Sequence, residues 1–238
     1  MVVDLAIIDY GLGNLYSVKN ACEYVGIQAR ITASKDEILS ADAVILPGVG
    51  AYADAMTALQ SRDLVAPLRE FAASGKILMG ICLGLQLLMT ESYEFGRCRG
   101  LGIIAGPVVP FENPQGKRGK LKVPHVGWNR IFRSVSTPDG QSALNPQADT
   151  WIGTPLAGLP DGEYMYFVHS FYAKPEDDGL TLATSRYGDI EFSSSLRHGN
   201  IFATQFHPER SGPKGLLIYR ELLSWITRNG SAESGESG

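Results

Sequence analysis

The stretch Lys76-Ile77-Leu78-Met79-Gly80-Ile81-Cys82-Leu83-Gly84-Leu85-Gln86-Leu87-Leu88-Met89 holds an apolar run, a cysteine between glycines, and a second apolar run. The first run reads as a buried strand ending near Ile81. The run Leu83–Met89 reads as a buried helix. A sharp strand-to-helix turn exposes a nucleophile only if its neighbours are small, and Gly80 and Gly84 meet that need. The start of the helix would favour a thiolate over a thiol.

Working outward, Val2–Ile8 is another continuous apolar strand, as expected at the buried centre of a parallel sheet. Asn14–Val25 carries apolar residues at helical spacing and stops at Gly26. Ile27–Thr32 and Ala43–Leu46 read as strands, Ala51–Gln60 and Leu64–Ala73 as helices. This alternation predicts an α/β fold with right-handed βαβ units. After about residue 100 strands dominate, at Glu163–Tyr172, Leu180–Tyr187, Glu191–Arg197 and Ile201–Phe206, before a final helix near Gly215–Arg228. One domain over 1–229 is expected, with a loop excursion at 134–160 rich in Pro, Gly, Ser and Asp. Residues 230–238 are too polar to pack and are expected to be a disordered tail.

The chain has 238 residues, 44% of them apolar, enough for one sizeable core. Its formal net charge of −4 gives no general basic footprint for nucleic acid. Lys117–Lys122 is the one basic cluster, either a solvated loop or a partner-facing patch. The three cysteines show no Cys-x-x-Cys pairing, which fits a reducing compartment, and the four histidines are too scattered to predict a metal. Cys22 reads as core and Cys98 as a loop residue. No secretion signal and no apolar span of membrane length is visible, so a soluble, cytoplasmic protein is expected.

The second chemical element is Gln205-Phe206-His207-Pro208-Glu209, where a β-rich run ends in a histidine and a carboxylate two residues apart. Taken alone, Cys82 is a small core residue and His-Pro-Glu a surface turn. Together they supply a nucleophile, its base and an orienting acid. Pro208 forbids continued helix and is expected to hold its neighbours extended, so that Glu209 points the same way as His207.

With these residues in view, the chain resembles the class I glutamine amidotransferases. Among them the glutaminase subunits of imidazole glycerol phosphate synthases are the nearest likeness. Asp9-Tyr10-Gly11-Leu12-Gly13-Asn14-Leu15-Tyr16-Ser17, Pro47-Gly48-Val49-Gly50, Pro124-His125-Val126-Gly127-Trp128-Asn129 and Tyr166-Phe167-Val168-His169-Ser170 carry that closer likeness. Leu85, Val126 and Arg210 depart from it mildly. The resemblance implies a class I amidotransferase fold, a central mostly parallel sheet flanked by helices with an added β-rich second half. It implies glutamine as substrate, no cofactor, and catalysis by Cys82, His207 and Glu209. It makes the Val49 and Leu83 N–H groups oxyanion donors, and Gly48, Gly50, Gln86, His169 and Ser170 substrate-binding residues. Pro47–Gly50 as a plain strand-ending turn and His169 as a satisfied strand histidine remain open. The implied partner is a (β/α)8-barrel cyclase in a heterodimer, met through Asn14, Lys120, Lys122 and Trp128, with no nucleic acid and no membrane. Trp128 as a core residue competes with that role. The acceptor chemistry is expected on another chain. A glutaminase feeding a different synthase, such as one amidating a surface-polysaccharide sugar, and a non-catalytic scaffold are the alternatives.

Overall fold

Strands buried on both faces must be apolar at every position, and their alternation then decides which helix layer each residue meets. The computed structural model describes residues 3–134 and 150–233. In it β1 (Asp4–Ile8), β2 (Gln28–Thr32), β3 (Ala43–Leu46) and β4 (Ile77–Ile81) are separated by helices α1 (Leu15–Tyr24), α2 (Lys35–Ser40), α3 (Tyr52–Ser61) and α4 (Val65–Ala73). Leu5, Ile7, Ile45, Met79 and Ile81 face one core with α1, whereas Ala6, Ile8, Val44, Leu46 and Leu78 face a second core with α2, α3 and α4. The expected strands and helices are found here within a residue or so, and α2 is an addition.

Helix α5 (Leu83–Leu87) follows β4, and β5 (Met89–Ser92) follows it directly. The expected helix through Met89 is therefore cut short. Its end is pulled into a second sheet, because Leu101 N–H bonds Leu87 O and the Ile103 and Ile104 N–H groups bond Leu88 O. That sheet runs β12–β7–β5–β6, from β6 (Cys98–Arg99), β7 (Ile104–Pro110) and β12 (Phe171–Ala173). Cys98 is thus in a short strand and not a loop. β8 (Gln115–Gly116) and β9 (Gly119–Lys120) form a small hairpin.

The β-rich second half does not stand apart. β10 (His125–Arg133), β11 (Glu163–His169), β13 (Thr181–Tyr187), β14 (Ile190–His198) and β15 (Ile201–Thr204) continue the main sheet. Among the described residues it has nine strands, ordered β11-β10-β13-β14-β15-β4-β3-β1-β2. The pairs from β15 to β2 are parallel, and those from β11 to β15 antiparallel. The expected single strand Glu163–Tyr172 is broken at Ser170, where the chain passes from one sheet to the other.

Of the excursion at 134–160, residues 135–149 lie outside the described residues. From 150 onward the chain is packed and no longer a loose loop: Trp151 is fully buried, its indole N–H donates to Leu182 O at 2.8 Å, and Leu156 and Leu159 join the core. The final helix α6 (Gly212–Glu233) extends four residues into the stretch 230–238 expected to be disordered. Once the buried face Ile218, Leu222, Trp225 and Ile226 has fixed the helix, adding turns costs little even for polar residues. Residues 234–238 lie outside the described residues.

Candidate active site

The register between β4 and β15 builds the site. Ala203 pairs with Gly80 and Thr204 with Ile81, and Cys82 N–H donates to Thr204 O at 2.7 Å. Two parallel strands thus end side by side, one leading into Cys82 and the other into His207. β3, the other neighbour of β4, ends at Leu46 and leads into Pro47-Gly48-Val49-Gly50. Crevices at the carboxyl ends of parallel strands are the usual ligand sites of such sheets.

Cys82 adopts φ +53° and ψ −107°, a backbone conformation that L side chains rarely take. Strain of this kind costs on the order of 1–3 kcal/mol and persists where the surroundings dictate it. The surroundings here are close-packed. A Cβ at Gly84 would lie 1.8 Å from Leu46 O, and one at Gly80 would lie 3.0 Å from Leu85 N. Gly84 is therefore required by backbone approach, and Gly80 sits in tight contact with the start of the helix.

His207 Nδ1 bonds Glu209 Oε1 at 2.8 Å, with both side chains almost wholly buried. Pro208 achieves this differently from the expected extended geometry. It opens a 3-10 turn, Pro208–Arg210, whose first position suits proline's fixed φ, and the turn carries Glu209 back under the ring. Ser211 clamps the turn, donating to His207 O at 2.7 Å and accepting from Tyr166 N–H at 3.0 Å. The Glu209 contact leaves the buried His207 Nε2 to face the neighbouring Cys82. Burial opposes a charged ring, but the Cys82 thiolate and, after it, the Glu209 carboxylate outweigh burial and raise the His207 pKa to about 10. The ring is thus held between the Cys82 sulfur on one side and the Glu209 carboxylate on the other.

A cleft of about 390 Å³ opens over Cys82 and is lined by Val49, Gly50, Leu83, Gln86, Glu94, Pro124, Val168, His169, Ser170, Phe171 and Arg210. A larger depression of about 570 Å³, beside Phe132 and Tyr172, is lined by neither Cys82 nor the His207–Glu209 pair. Chemistry therefore selects the smaller one. The Leu83 and Val49 N–H groups have no acceptor among the described residues, so both are available to a ligand. Gly48 does not line the cleft. It lies beneath it, where a Cβ would meet Tyr10 Oη at 2.3 Å, and Tyr10 donates to Pro47 O at 2.7 Å to hold the loop.

Gln86 Nε2 donates to Phe171 O at 2.8 Å and to Gln205 Oε1 at 3.1 Å, leaving its oxygen as an acceptor at the cleft. His169 is a wall residue whose Nδ1 bonds Phe171 O at 2.9 Å, so its histidine is satisfied and lines the site at once. Its Nε2 meets His125 Nδ1 at 3.2 Å. Burial lowers the pKa of His125 to about 4. His169 falls to about 3, from burial chiefly, with the neighbouring His125 and His207 adding to it. Both rings are neutral at pH 7.

An acid-stability prediction follows. Unfolded histidines gain protons below about pH 6.5, whereas these two resist protonation until about 4 and 3. The unfolded state then binds more protons, so stability is lost as pH falls from 6.5 towards 4. The drop in Tm between pH 7 and pH 4.5 should be smaller in His125→Gln than in the parent chain; an equal drop would refute the coupling.

Sequence reading missed Gln205, Glu94 and Arg210 as site residues. Gln205 had a signal, a polar side chain in a strand end that is otherwise buried and must find partners. Glu94, which accepts from Tyr52 N–H, sits in a hairpin turn and had none. Asn14, Lys120 and Lys122 are exposed, Lys120 being held by Asn113 Oδ1 at 2.6 Å. Trp128 is 56% exposed, which removes the core reading, because alternation along β10 turns His125 and Asn129 inward and Val126 and Trp128 outward. Among the described residues no cluster of His, Cys, Asp and Glu could hold a metal ion.

The family model for glutamine amidotransferase class-I matches residues 6–222. The chain belongs to the class-I glutamine amidotransferases. Among curated proteins, imidazole glycerol phosphate synthase subunit HisH of Geobacter metallireducens is 44% identical over 219 residues, 92% of this chain and 96% of that protein. The HisH subunit of Moorella thermoacetica is 42% identical over 228 residues, 96% of this chain and 98% of its own length. These relatives place the amidotransferase in the HisH group. The solved structure of PurLQS from Thermotoga maritima covers 95% of this amidotransferase and all of the matched chain, with a TM-score of 0.66 at 21% identity, and shows the shared fold.

Proposed function

We propose that this amidotransferase hydrolyses glutamine as the glutaminase subunit of an imidazole glycerol phosphate synthase in histidine biosynthesis. The observation that carries the chemistry is the buried His207–Glu209 pair beside a nucleophile at the strand end. The HisH relatives carry the assignment to this synthase.

In this reading the Cys82 thiolate attacks the side-chain amide carbon of glutamine. The oxyanion that forms is met by the Leu83 and Val49 N–H groups. His207, held as an imidazolium, gives its proton to the leaving nitrogen, so ammonia departs and a glutamyl thioester remains. The now neutral ring takes a proton from water, hydroxide attacks the thioester, and glutamate leaves with the thiolate restored. Glu209 fixes the tautomer and stabilises the ring's charge throughout. The acceptor oxygen of Gln86 suits the α-ammonium of glutamine, and Arg210 on the cleft wall suits its carboxylate.

The ammonia is passed to a partner, which in this reading is a (β/α)8-barrel cyclase, and both subunits are cytoplasmic. What supports a subunit role is the relatives' printed name and the exposed apolar row Val123, Val126 and Trp128. Among the described residues no helix is long and apolar enough to cross a membrane. Trp128→Ala should weaken the complex by about 1–3 kcal/mol, the range for an anchoring aromatic, with Tm unchanged. A large fall in Tm with unchanged affinity would remove Trp128 from the interface. The reading as a whole is tested by glutamate release with and without the coexpressed cyclase. Release that is slow alone and stimulated by the ligand-bound cyclase supports it, and no release in either case refutes it.

A further inference from the structure

Gln205 is fully buried and lies between the nucleophile and Gln86. Its Nε2 donates to Cys82 Sγ at 3.6 Å, and its Oε1 accepts from Gln86 Nε2 at 3.1 Å. We propose that Gln205 is a further catalytic residue of the glutaminase, donating an amide N–H to the reacting sulfur, with Gln86 as the positioning residue that holds it there. The inference rests on Cys82 being the nucleophile, as proposed above.

Neither amide can be turned over. Rotating Gln86 would set its oxygen against the Phe171 carbonyl, and rotating Gln205 would set its nitrogen against that of Gln86. Phe171 O is itself fixed, since it accepts from both Gln86 and His169. With Nδ1 of His169 as the donor, its Nε2 must accept from His125 Nδ1, and His125 Nε2 then accepts from Asn129 Nδ2 at 3.4 Å. The two neutral rings therefore have one consistent set of tautomers. The donors run in a fixed order from β10 to Phe171 O, and from Gln86 through Gln205 to the sulfur. A buried amide that points N–H at sulfur contributes little while the sulfur is a thiol. Once the proton has moved to His207 the contact becomes charge-assisted, so it favours the reactive form of the pair. It also restricts the sulfur to one direction at the cleft floor.

The test reads Cys82 directly: its rate of alkylation by iodoacetamide against pH, followed by mass spectrometry of the peptide carrying Cys82. The other groups near this sulfur are His207, backed by Glu209, Tyr10, and Val168 O, which accepts from the thiol at 3.9 Å, and all stay in place. Gln205→Leu removes the donor, and Gln205→Asn keeps a buried amide one methylene too short to reach. In each variant the alkylation midpoint should move to higher pH, and kcat for glutamine should fall about tenfold with KM little changed. A structural role alone would lower Tm and leave the midpoint where it was. The inference is overturned if either folded variant alkylates with the parent's midpoint. Alkylation needs no glutamine turnover, so a midpoint shift without glutaminase activity would sink the proposed function and leave this contact standing.

Discussion

Cys82→Ala should reduce glutamine-dependent ammonia release by at least about 10³-fold, while partner binding and synthesis from added ammonium salt survive. The loss is that large because no other thiol can stand in. Cys22 is buried in α1 and Cys98 sits in β6, and neither lines the cleft. Alanine keeps the Cβ and the same strained φ, so the fold should be unaffected. Cys82→Gly should go further and raise Tm, since relief of strain at φ +53°, on the order of 1–3 kcal/mol, exceeds glycine's entropic cost of about 0.5–1 kcal/mol. A more stable but inactive enzyme is the signature of strain kept for function. Near-normal glutamine turnover by Cys82→Ala would remove the nucleophile from the mechanism.

The second large effect is expected at the base. His207→Asn should cost several orders of magnitude in kcat, because nothing else near the sulfur can both protonate the leaving ammonia and activate water. Glu209→Gln should cost less. The ring would keep its place in the 3-10 turn, which is held by Ser211 as well, but would lose the charge that stabilises the imidazolium. The two variants are compared by steady-state glutamate release in the complex. A Glu209→Gln loss as large as that of His207→Asn would mean that the carboxylate does more than orient and stabilise.

Much of this was legible because single residues carried heavy constraints. Gly80 and Gly84 announced the turn at Cys82, and the close approach of Gly84 to Leu46 O shows why. Unbroken apolar runs located β1, β3 and β4. What failed to show was what depends on partners distant in the chain. Helix α2 has six residues and one buried side chain, Ile38, too little to make a period. Leu88 and Met89 are apolar enough for helix or strand, and bonding to Ile103 and Ile104 drew them out of the helix. The contact of Glu209 with His207 was foreseen, but by an extended route when the chain takes a turn. Gln205 stands in the visible motif, yet its aim at the sulfur depends on Gln86, 119 residues earlier.

Strand β10 serves two masters. Its outward residues Val126 and Trp128 belong to the docking surface proposed here, and its inward residues His125 and Asn129 belong to the hydrogen-bond chain behind the cleft. Because the two sets alternate, they are insulated from each other against substitution but not against insertion or deletion. Point changes can retailor recognition of a new cyclase while the catalytic wall stays as it is. Losing or gaining a single residue in β10 would exchange the faces and spoil recognition and chemistry in one step. This strand can drift in composition, but its length is locked.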